Sequence, residues 1–182
     1  MGVMLFGREL IGGMQNWMMT LPRYWQKNGP SPRMLEELPP LRETMTVQLT
    51  RRVDFPMLDL AGIAFYPRIF DLAHRFFEES WEVMCGVDYP HILTEMNIGF
   101  PIVSIKSNFH APLKYGDIVT ATIWISKIGG KSCTWQYEFH NQNEQLLWTS
   151  EQITVCVDMV NMESIVIPEI LRKGLEECNN ER

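Results

Sequence analysis

Residues 59–67 of this chain read DLAGIAFYP, and this stretch places a carboxylate shortly before the start of a helix. The preceding residues 44–55 alternate apolar and polar side chains, as a half-buried strand does. The following residues 67–85 have helical periodicity, and Pro67 suits the first turn of a helix. We therefore predict that Asp59 lies in an apolar loop beside a helix N-terminus, where free N–H groups can hold a developing oxyanion.

Composition and charge are those of an ordinary globular domain, and they exclude several classes of function. Apolar residues make up 46% of the 182 residues and charged residues 21%. The net charge of −6 gives no electrostatic support for a nucleic-acid partner. No run approaches the roughly 18 apolar residues of a membrane span, and no basic segment precedes an apolar core as in a signal peptide. We predict a cytoplasmic protein without a membrane span, whose four widely spread cysteines are free thiols in a reducing compartment.

The chain divides into three parts by composition and pattern. Residues 1–43, rich in proline and methionine, are predicted to form an N-terminal arm or extension. A membrane-surface anchor is the alternative for this segment, but it lacks the expected Lys/Arg-rich polar face. Residues 44–160 form the one regular domain, and residues 161–182 form a C-terminal tail with a short helix at 168–178.

The regular domain is predicted to contain one long helix and about five strands. Its helix carries a broad, bulky apolar stripe, which indicates that the helix is largely buried. After the first strand at 44–55, period-two alternation predicts four more strands in an antiparallel meander, at 101–109, 117–126, 132–140 and 146–158. A single long buried helix wrapped by a curled, mainly antiparallel sheet is an α+β arrangement.

Asp59 is the leading candidate for chemistry when the residues are considered alone. An acid among such apolar neighbours is either partly desolvated or hydrogen-bonded by backbone amides. The alternative is a simple turn residue, because aspartate before glycine is common in turns. The four histidines show no metal-binding spacing, so no metal site is predicted.

Residues 59–67 also carry a resemblance to a known family. Asp59, the Ala-Gly-Ile run at 61–63 and the Phe-Tyr-Pro run at 65–67 resemble the signature of the 4-hydroxybenzoyl-CoA thioesterase family, which has a hotdog fold. Residues 99–104 and 115–117 and the Lys-Ser pair at 131–132 match the family more weakly, but in agreeing order and spacing. The resemblance covers about residues 44–160.

The resemblance implies a set of roles for residues of this chain. Asp59 would be the nucleophile or general base that attacks the thioester, and the Tyr66 backbone N–H would polarise the thioester carbonyl. The candidate substrate-binding residues are Gly62, Lys106, Lys131 and Ser132, with the lysines as candidates for the nucleotide phosphates. The family implies a homodimer or homotetramer with coenzyme A lying across subunits. It implies no metal or redox cofactor, since coenzyme A enters as part of the substrate.

Two departures from the family pattern bear on these roles. Met57 stands where many members carry a second acidic residue, so hydrogen-bond support for the loop differs. Gly129 and Gly130 stand where some relatives have arginines, which leaves phosphate binding to the lysines.

Three functions remain open on the sequence. The first is an acyl-CoA thioesterase that hydrolyses an aromatic or fatty acyl-CoA. The second is a non-catalytic acyl-CoA-binding hotdog module. The third is a hotdog dehydratase or other acyl-thioester lyase, which the absence of histidine between residues 55 and 70 argues against.

Overall fold

The computed structural model describes residues 46–179 of the chain, and the predicted arm at 1–43 lies outside that range. The elements follow one another as β1 (Val47–Arg52), a 3₁₀ helix (Phe55–Met57), α1 (Tyr66–Cys85), α2 (Tyr89–Thr94), β2 (Ile98–Gly99), β3 (Ile102–Phe109), β4 (Ile118–Ile128), β5 (Ser132–His140), β6 (Leu146–Val155), β7 (Val157–Asp158), β8 (Glu163–Ser164) and α3 (Glu169–Glu177).

The long helix α1 is the central element, as its apolar stripe predicts. It begins with Tyr66 and Pro67, and it ends at Gly86, whose φ of 67° is the left-handed conformation that glycine adopts readily. One face of α1 is buried against the sheet, through Ile69, Leu72, Ala73, Phe76, Phe77, Ser80, Trp81 and Met84. Its opposite face is polar and exposed to solvent, so only one face of the helix is buried.

The main sheet has five strands in the order β1-β4-β5-β6-β3, and every neighbouring pair is antiparallel. The predicted α+β class, with one long helix on a mainly antiparallel five-strand sheet, is therefore confirmed. The predicted four-strand meander is wrong at β3, because β3 pairs with β6 (Ile105 opposite Gln152) and not with β4. Period-two alternation identifies a strand but carries no information about its neighbour. Here the segment between β3 and β4 crosses the end of the sheet, where the His110 N–H donates to Leu147 O at 2.9 Å.

The core between α1 and the sheet is unusually aromatic. Trp81 of α1 is fully buried, and its ring centroid lies 5.3 Å from that of Trp135 on β5 and 4.5 Å from that of Phe100. Phe77 completes the group, 4.9 Å from Trp135 in an edge-to-face arrangement. These rings fix the distance between α1 and β5.

The short helix predicted in the C-terminal tail is α3, and it packs closely on the end of α1. A Cβ added at Gly174 would overlap the Met84 carbonyl oxygen and lie 2.8 Å from Cys85 Sγ. The end of α3 also joins the sheet, since the Ile125 N–H donates to Cys178 O at 3.0 Å. Gly174 is therefore a point of close helix approach.

Gly174→Ala is expected to lower the free energy of unfolding by about 1–3 kcal/mol, because α3 must move away from α1 to admit the methyl group. This loss outweighs the gain of up to about 1 kcal/mol in helix propensity. Urea denaturation measures the change. The control is Gly130→Ala, where an added Cβ meets open space and should change stability by less than about 0.5 kcal/mol. An unchanged urea midpoint for Gly174→Ala would contradict the close approach.

Candidate active site

The loop that carries Asp59 is a tight hairpin between the 3₁₀ helix and α1. The Asp59 N–H donates to Ile63 O at 3.0 Å, and the Gly62 N–H donates to Asp59 O at 3.0 Å. Gly62 has a φ of +75°, a backbone conformation that is strained for residues with a side chain. Glycine at this position therefore allows the hairpin to close. Leu58 and Ala64 pair across the hairpin and hold its two arms together.

The carboxylate of Asp59 is exposed and is held by one backbone amide. Its Oδ1 accepts a hydrogen bond from the Ala61 N–H at 2.7 Å. The sequence predicts that Asp59 is either partly desolvated or hydrogen-bonded by backbone amides, and the hydrogen-bonded state is the one observed. Within residues 46–179 the second carboxylate oxygen accepts no hydrogen bond, so it is free to attack a carbon or to take a proton. The same Asp59–Ala61 contact also occurs in ordinary aspartate turns, so the turn alternative stands beside the catalytic one.

Tyr66 is the first residue of α1, and it follows directly after the hairpin that carries Asp59. The Tyr66 N–H donates no hydrogen bond to any acceptor among residues 46–179, as is usual at a helix start. The neighbouring amides are taken, because Phe65 N–H donates to Met57 O and Ala64 N–H donates to Leu113 O, both at 2.8 Å. The Tyr66 N–H is therefore fixed in position and available to a carbonyl oxygen, with the positive end of the helix dipole behind it.

Asp59 and Tyr66 line one cleft of about 520 Å³, which we call the active-site cleft. The rest of its lining is mostly apolar and comes from the hairpin, from α1 and from the end of β3: Ile63, Ala64, Phe65, Ile69, Phe109, His110, Ala111, Pro112 and Leu113. A mostly apolar cleft of this size with a few polar groups is typical of a small-molecule site.

His110, an exposed residue directly after β3, is part of this cleft. Its Nε2 lies 3.0 Å from Thr149 Oγ1, so one ring nitrogen already has a partner. The available signal was its position directly after a strand, where the chain turns across the end of the sheet. That signal is weak without the strand order, which brings this turn beside the Asp59 hairpin.

The remaining predicted substrate-binding residues lie away from the active-site cleft within one chain. Lys131 and Ser132 are at the β4–β5 turn, whereas the cleft is at the opposite end of the sheet, beside the β5–β6 turn. The nine residues of β5 separate these ends by roughly 26 Å at about 3.3 Å per residue. Lys131 Nζ donates to Ser164 O at 2.5 Å. These two residues can therefore contact a substrate at Asp59 only from another subunit or at a distant part of the ligand.

Lys106 lies in the middle of β3, on the outer face of the sheet. Its Nζ contacts Glu151 Oε1 at 2.9 Å, and hydrogen bonds from Lys106 and Gln136 hold the pKa of Glu151 below its usual value. Glu151 is therefore ionised at neutral pH and offsets the charge of Lys106. This pairing weakens the case for Lys106 as a phosphate ligand.

The cysteines offer no nucleophile. All four are free thiols, as predicted. Burial raises the pKa of Cys85 and of Cys133 to about 12, and the pKa of Cys156 and of Cys178 to about 11. The thiols therefore stay protonated at neutral pH, and a thiol is a poor nucleophile compared with a thiolate.

Residues 46–179 contain neither a metal-binding cluster nor a membrane-spanning helix. No group of three or more histidine, cysteine, aspartate or glutamate side chains in this part of the chain is arranged to hold a metal ion. None of its helices is long and apolar enough to cross a membrane.

The central part of the chain, including α1 and the strands around the active-site cleft, matches a known family. The family model described as the Thioesterase superfamily matches residues 61–147. Over these residues, just under half of the chain, it is similar to the thioesterase superfamily, and it has the hotdog fold. The predicted hotdog fold is therefore confirmed, while the match does not single out the 4-hydroxybenzoyl-CoA thioesterase subfamily.

This hotdog protein is similar to curated relatives over most of their length. A 1,4-dihydroxy-2-naphthoyl-CoA hydrolase of Nostoc punctiforme is 25% identical over 132 residues, which cover 72% of this chain and 88% of the relative. A long-chain acyl-CoA thioesterase, FadM, of Escherichia coli is 28% identical over 105 residues, which cover 57% of this chain and 80% of the relative. Both names are those of thioester hydrolases, in agreement with the predicted enzyme class.

A solved structure supports the fold in the same way. A 1,4-dihydroxy-2-naphthoyl-CoA thioesterase from Synechocystis superposes on the hotdog protein with a TM-score of 0.65 and 20% identity. The superposition covers 72% of this chain and 96% of the other. It supports the five-strand sheet and its central helix, and at this identity it speaks for the fold alone.

Proposed function

We propose that this protein hydrolyses an acyl-CoA thioester to a free acid and coenzyme A. The observation that carries the proposal is that two residues line the same mostly apolar cleft: Asp59, and Tyr66, whose backbone N–H donates no hydrogen bond within residues 46–179. A thioester carbonyl in this cleft can direct its oxygen to the N–H and its carbon to the carboxylate. The names of the relatives support the same reaction class.

The residues can carry out the hydrolysis by either of two routes. In the nucleophilic route the free oxygen of Asp59 attacks the thioester carbon, coenzyme A leaves as its thiolate, and water then hydrolyses the resulting anhydride. In the general-base route Asp59 takes a proton from water as the water attacks the same carbon. Both routes place negative charge on the carbonyl oxygen, and the Tyr66 N–H at the helix start stabilises that charge.

The cleft lining suits an apolar acyl group. Phe109, Ile69 and Phe65 supply aromatic and aliphatic surface, which accepts an aromatic acyl group or a fatty acyl chain. The test is a turnover panel of benzoyl-, hydroxybenzoyl- and fatty acyl-CoA, with the released thiol measured directly. We expect thiol release from at least one class of substrate. Tight binding of acyl-CoA without any thiol release would instead favour the non-catalytic binding module.

We also propose that the protein is a homodimer whose subunits meet along β3. β3 is an edge strand, and its apolar side chains Val103, Ile105 and Phe109 are 61%, 45% and 54% exposed. An exposed apolar edge strand needs a cover, and a second copy of the same strand provides one. Because Phe109 also lines the active-site cleft, such a dimer would place a partner subunit beside each cleft.

The double substitution Val103→Lys/Ile105→Lys is expected to shift the protein from dimer to monomer at micromolar concentration, because lysine on an edge strand opposes pairing. Sedimentation velocity measures the change. Val160→Lys is the control, since Val160 is 73% exposed on the β7–β8 turn and lies away from β3. A wild-type protein that is monomeric and fully active would refute the dimer.

The cytoplasmic location stays a prediction.

A further inference from the structure

A second cleft, of about 300 Å³, lies on the other side of the hairpin that carries Asp59. Met57 lines this cleft, whereas Phe65 lines the active-site cleft, and the Phe65 N–H donates to Met57 O. Four arginines surround it, two from β1 and two from α1: Arg51, Arg52, Arg68 and Arg75. We call it the arginine cleft.

The arginine cleft carries more positive than negative charge. The carboxylates that face its four guanidinium groups are Asp54 and Asp71, which line the cleft, and Glu79, which pairs with Arg51. Asp71 is shared, because Arg75 approaches it at 3.4 Å and Arg68 at 4.0 Å. Four guanidinium groups against three carboxylates leave one positive charge in excess, in a chain whose net charge is −6.

Two of these arginines have unused donors. The shortest ion contacts are 3.8 Å for Arg52, to Asp54, and 4.0 Å for Arg68, to Asp71, and both are too long for a hydrogen bond. Neither guanidinium donates a hydrogen bond to any acceptor within residues 46–179. Each guanidinium presents five N–H donors in a planar fork, the geometry that binds phosphate through paired hydrogen bonds.

The start of α1 strengthens the positive potential at this cleft. Arg68 lies in the first turn of α1, and that turn contains no acidic residue. Since the N-terminal end of a helix is itself positive, arginine there is unfavourable unless an anion is nearby. Asp71 supplies one such anion, 4.0 Å from Arg68, and the positive end of α1 also favours a bound anion beside the arginines.

We propose that the arginine cleft binds phosphate groups, and that these are the phosphates at the nucleotide end of acyl-CoA. The second half of this inference rests on the proposed function. The first turns of α1 line both clefts, with Tyr66 and Ile69 on the active side and Arg68 on the other. One hairpin thus separates the thioester site from a phosphate site. The sequence-based candidates are less suitable, because Lys106 and Lys131 are already engaged by Glu151 and Ser164.

Calorimetric titration with adenosine 3′,5′-bisphosphate and with inorganic phosphate tests the binding directly. We expect the wild-type protein to bind the bisphosphate and the Arg52→Gln/Arg68→Gln variant to bind it about tenfold or more weakly, as for the loss of charge-assisted hydrogen bonds. Lys173→Gln is the control, because Lys173 is an exposed cation on α3. This variant should bind the bisphosphate with the same affinity as the wild type. Absence of wild-type binding to either ligand, or equal binding by the double variant, would overturn the proposal.

Kinetics then identify the source of the phosphate. For acyl-CoA, the double variant should raise KM about tenfold with little change in kcat. For the same acyl group on pantetheine, which has no nucleotide, the variant and wild type should turn over equally. An equal loss with both substrates would show damage to the active-site cleft and would refute the assignment to the nucleotide end.

The two proposals can fail separately. If the wild-type protein binds the bisphosphate through Arg52 and Arg68 but hydrolyses no thioester, the phosphate site stands and the proposed function is wrong. If it hydrolyses acyl-CoA and acyl-pantetheine with the same KM, the proposed function stands and the nucleotide assignment is wrong.

Discussion

Asp59→Asn is expected to lower kcat by about 10²–10⁴-fold while the fold and most of the substrate affinity remain. Asparagine has the size of aspartate, and its side-chain oxygen can still accept the hydrogen bond from the Ala61 N–H. It cannot act as a nucleophile or accept a proton as a carboxylate does. Steady-state kinetics with the best substrate of the acyl-CoA panel measure the loss, and circular dichroism verifies the fold.

Asp158→Asn is the matched control for this variant. Asp158 Oδ1 accepts a hydrogen bond from the Val160 N–H at 2.7 Å, the same contact two residues ahead that Asp59 makes. Asp158 is the last residue of β7 and lines neither cleft, so its variant should retain full turnover. Near-normal kcat in Asp59→Asn as well would make Asp59 a turn residue, and the acyl-CoA-binding module would become the leading function.

Trp81→Ala is expected to destabilise the domain by about 3–5 kcal/mol, a large part of the stability of a typical domain. The side chain is fully buried among Phe77, Phe100 and Trp135, and the substitution leaves a cavity that this rigid aromatic group fills poorly. Trp81 Nε1 has no hydrogen-bond partner within the described residues, so the cost is one of packing. Urea denaturation gives the value.

Val83→Ala on the same helix is the control for the core substitution. Val83 is 53% exposed, so its change in stability should be within about 0.5 kcal/mol. A loss of less than about 1 kcal/mol for Trp81→Ala would mean that the aromatic cluster contributes little to holding α1 on β5.

The features that the sequence predicts well are local ones. The helix over 67–85 and the strand over 132–140 follow from periodicity, because each pattern depends only on residues within the element. The position of Asp59 before α1 follows from the same local pattern. The place of β3 at the sheet edge does not, because strand alternation is the same whichever neighbour a strand has.

The parts of the site that escaped prediction depend on contacts between distant segments. Arg52 and Arg68 belong to different elements, and each alone is typical of a solvated polar face. Only the packing of β1 beside the start of α1 brings them together. The distance between Lys131 and Asp59 could not be predicted for the same reason. The order of motifs along a sequence does not say how far apart they lie in the folded chain.

The hydrogen bond from Ile125 to Cys178 has a consequence for the order in which the domain is made. A ribosome produces α1 and β4 before α3, because synthesis runs from the N-terminus to the C-terminus. Until residues 169–178 have emerged, the surface of α1 around Met84 and the amide of Ile125 lack their native partners. Final packing of the domain must therefore wait until α3 has left the ribosome, and a nascent chain stalled before residue 169 should be more sensitive to protease than the released protein.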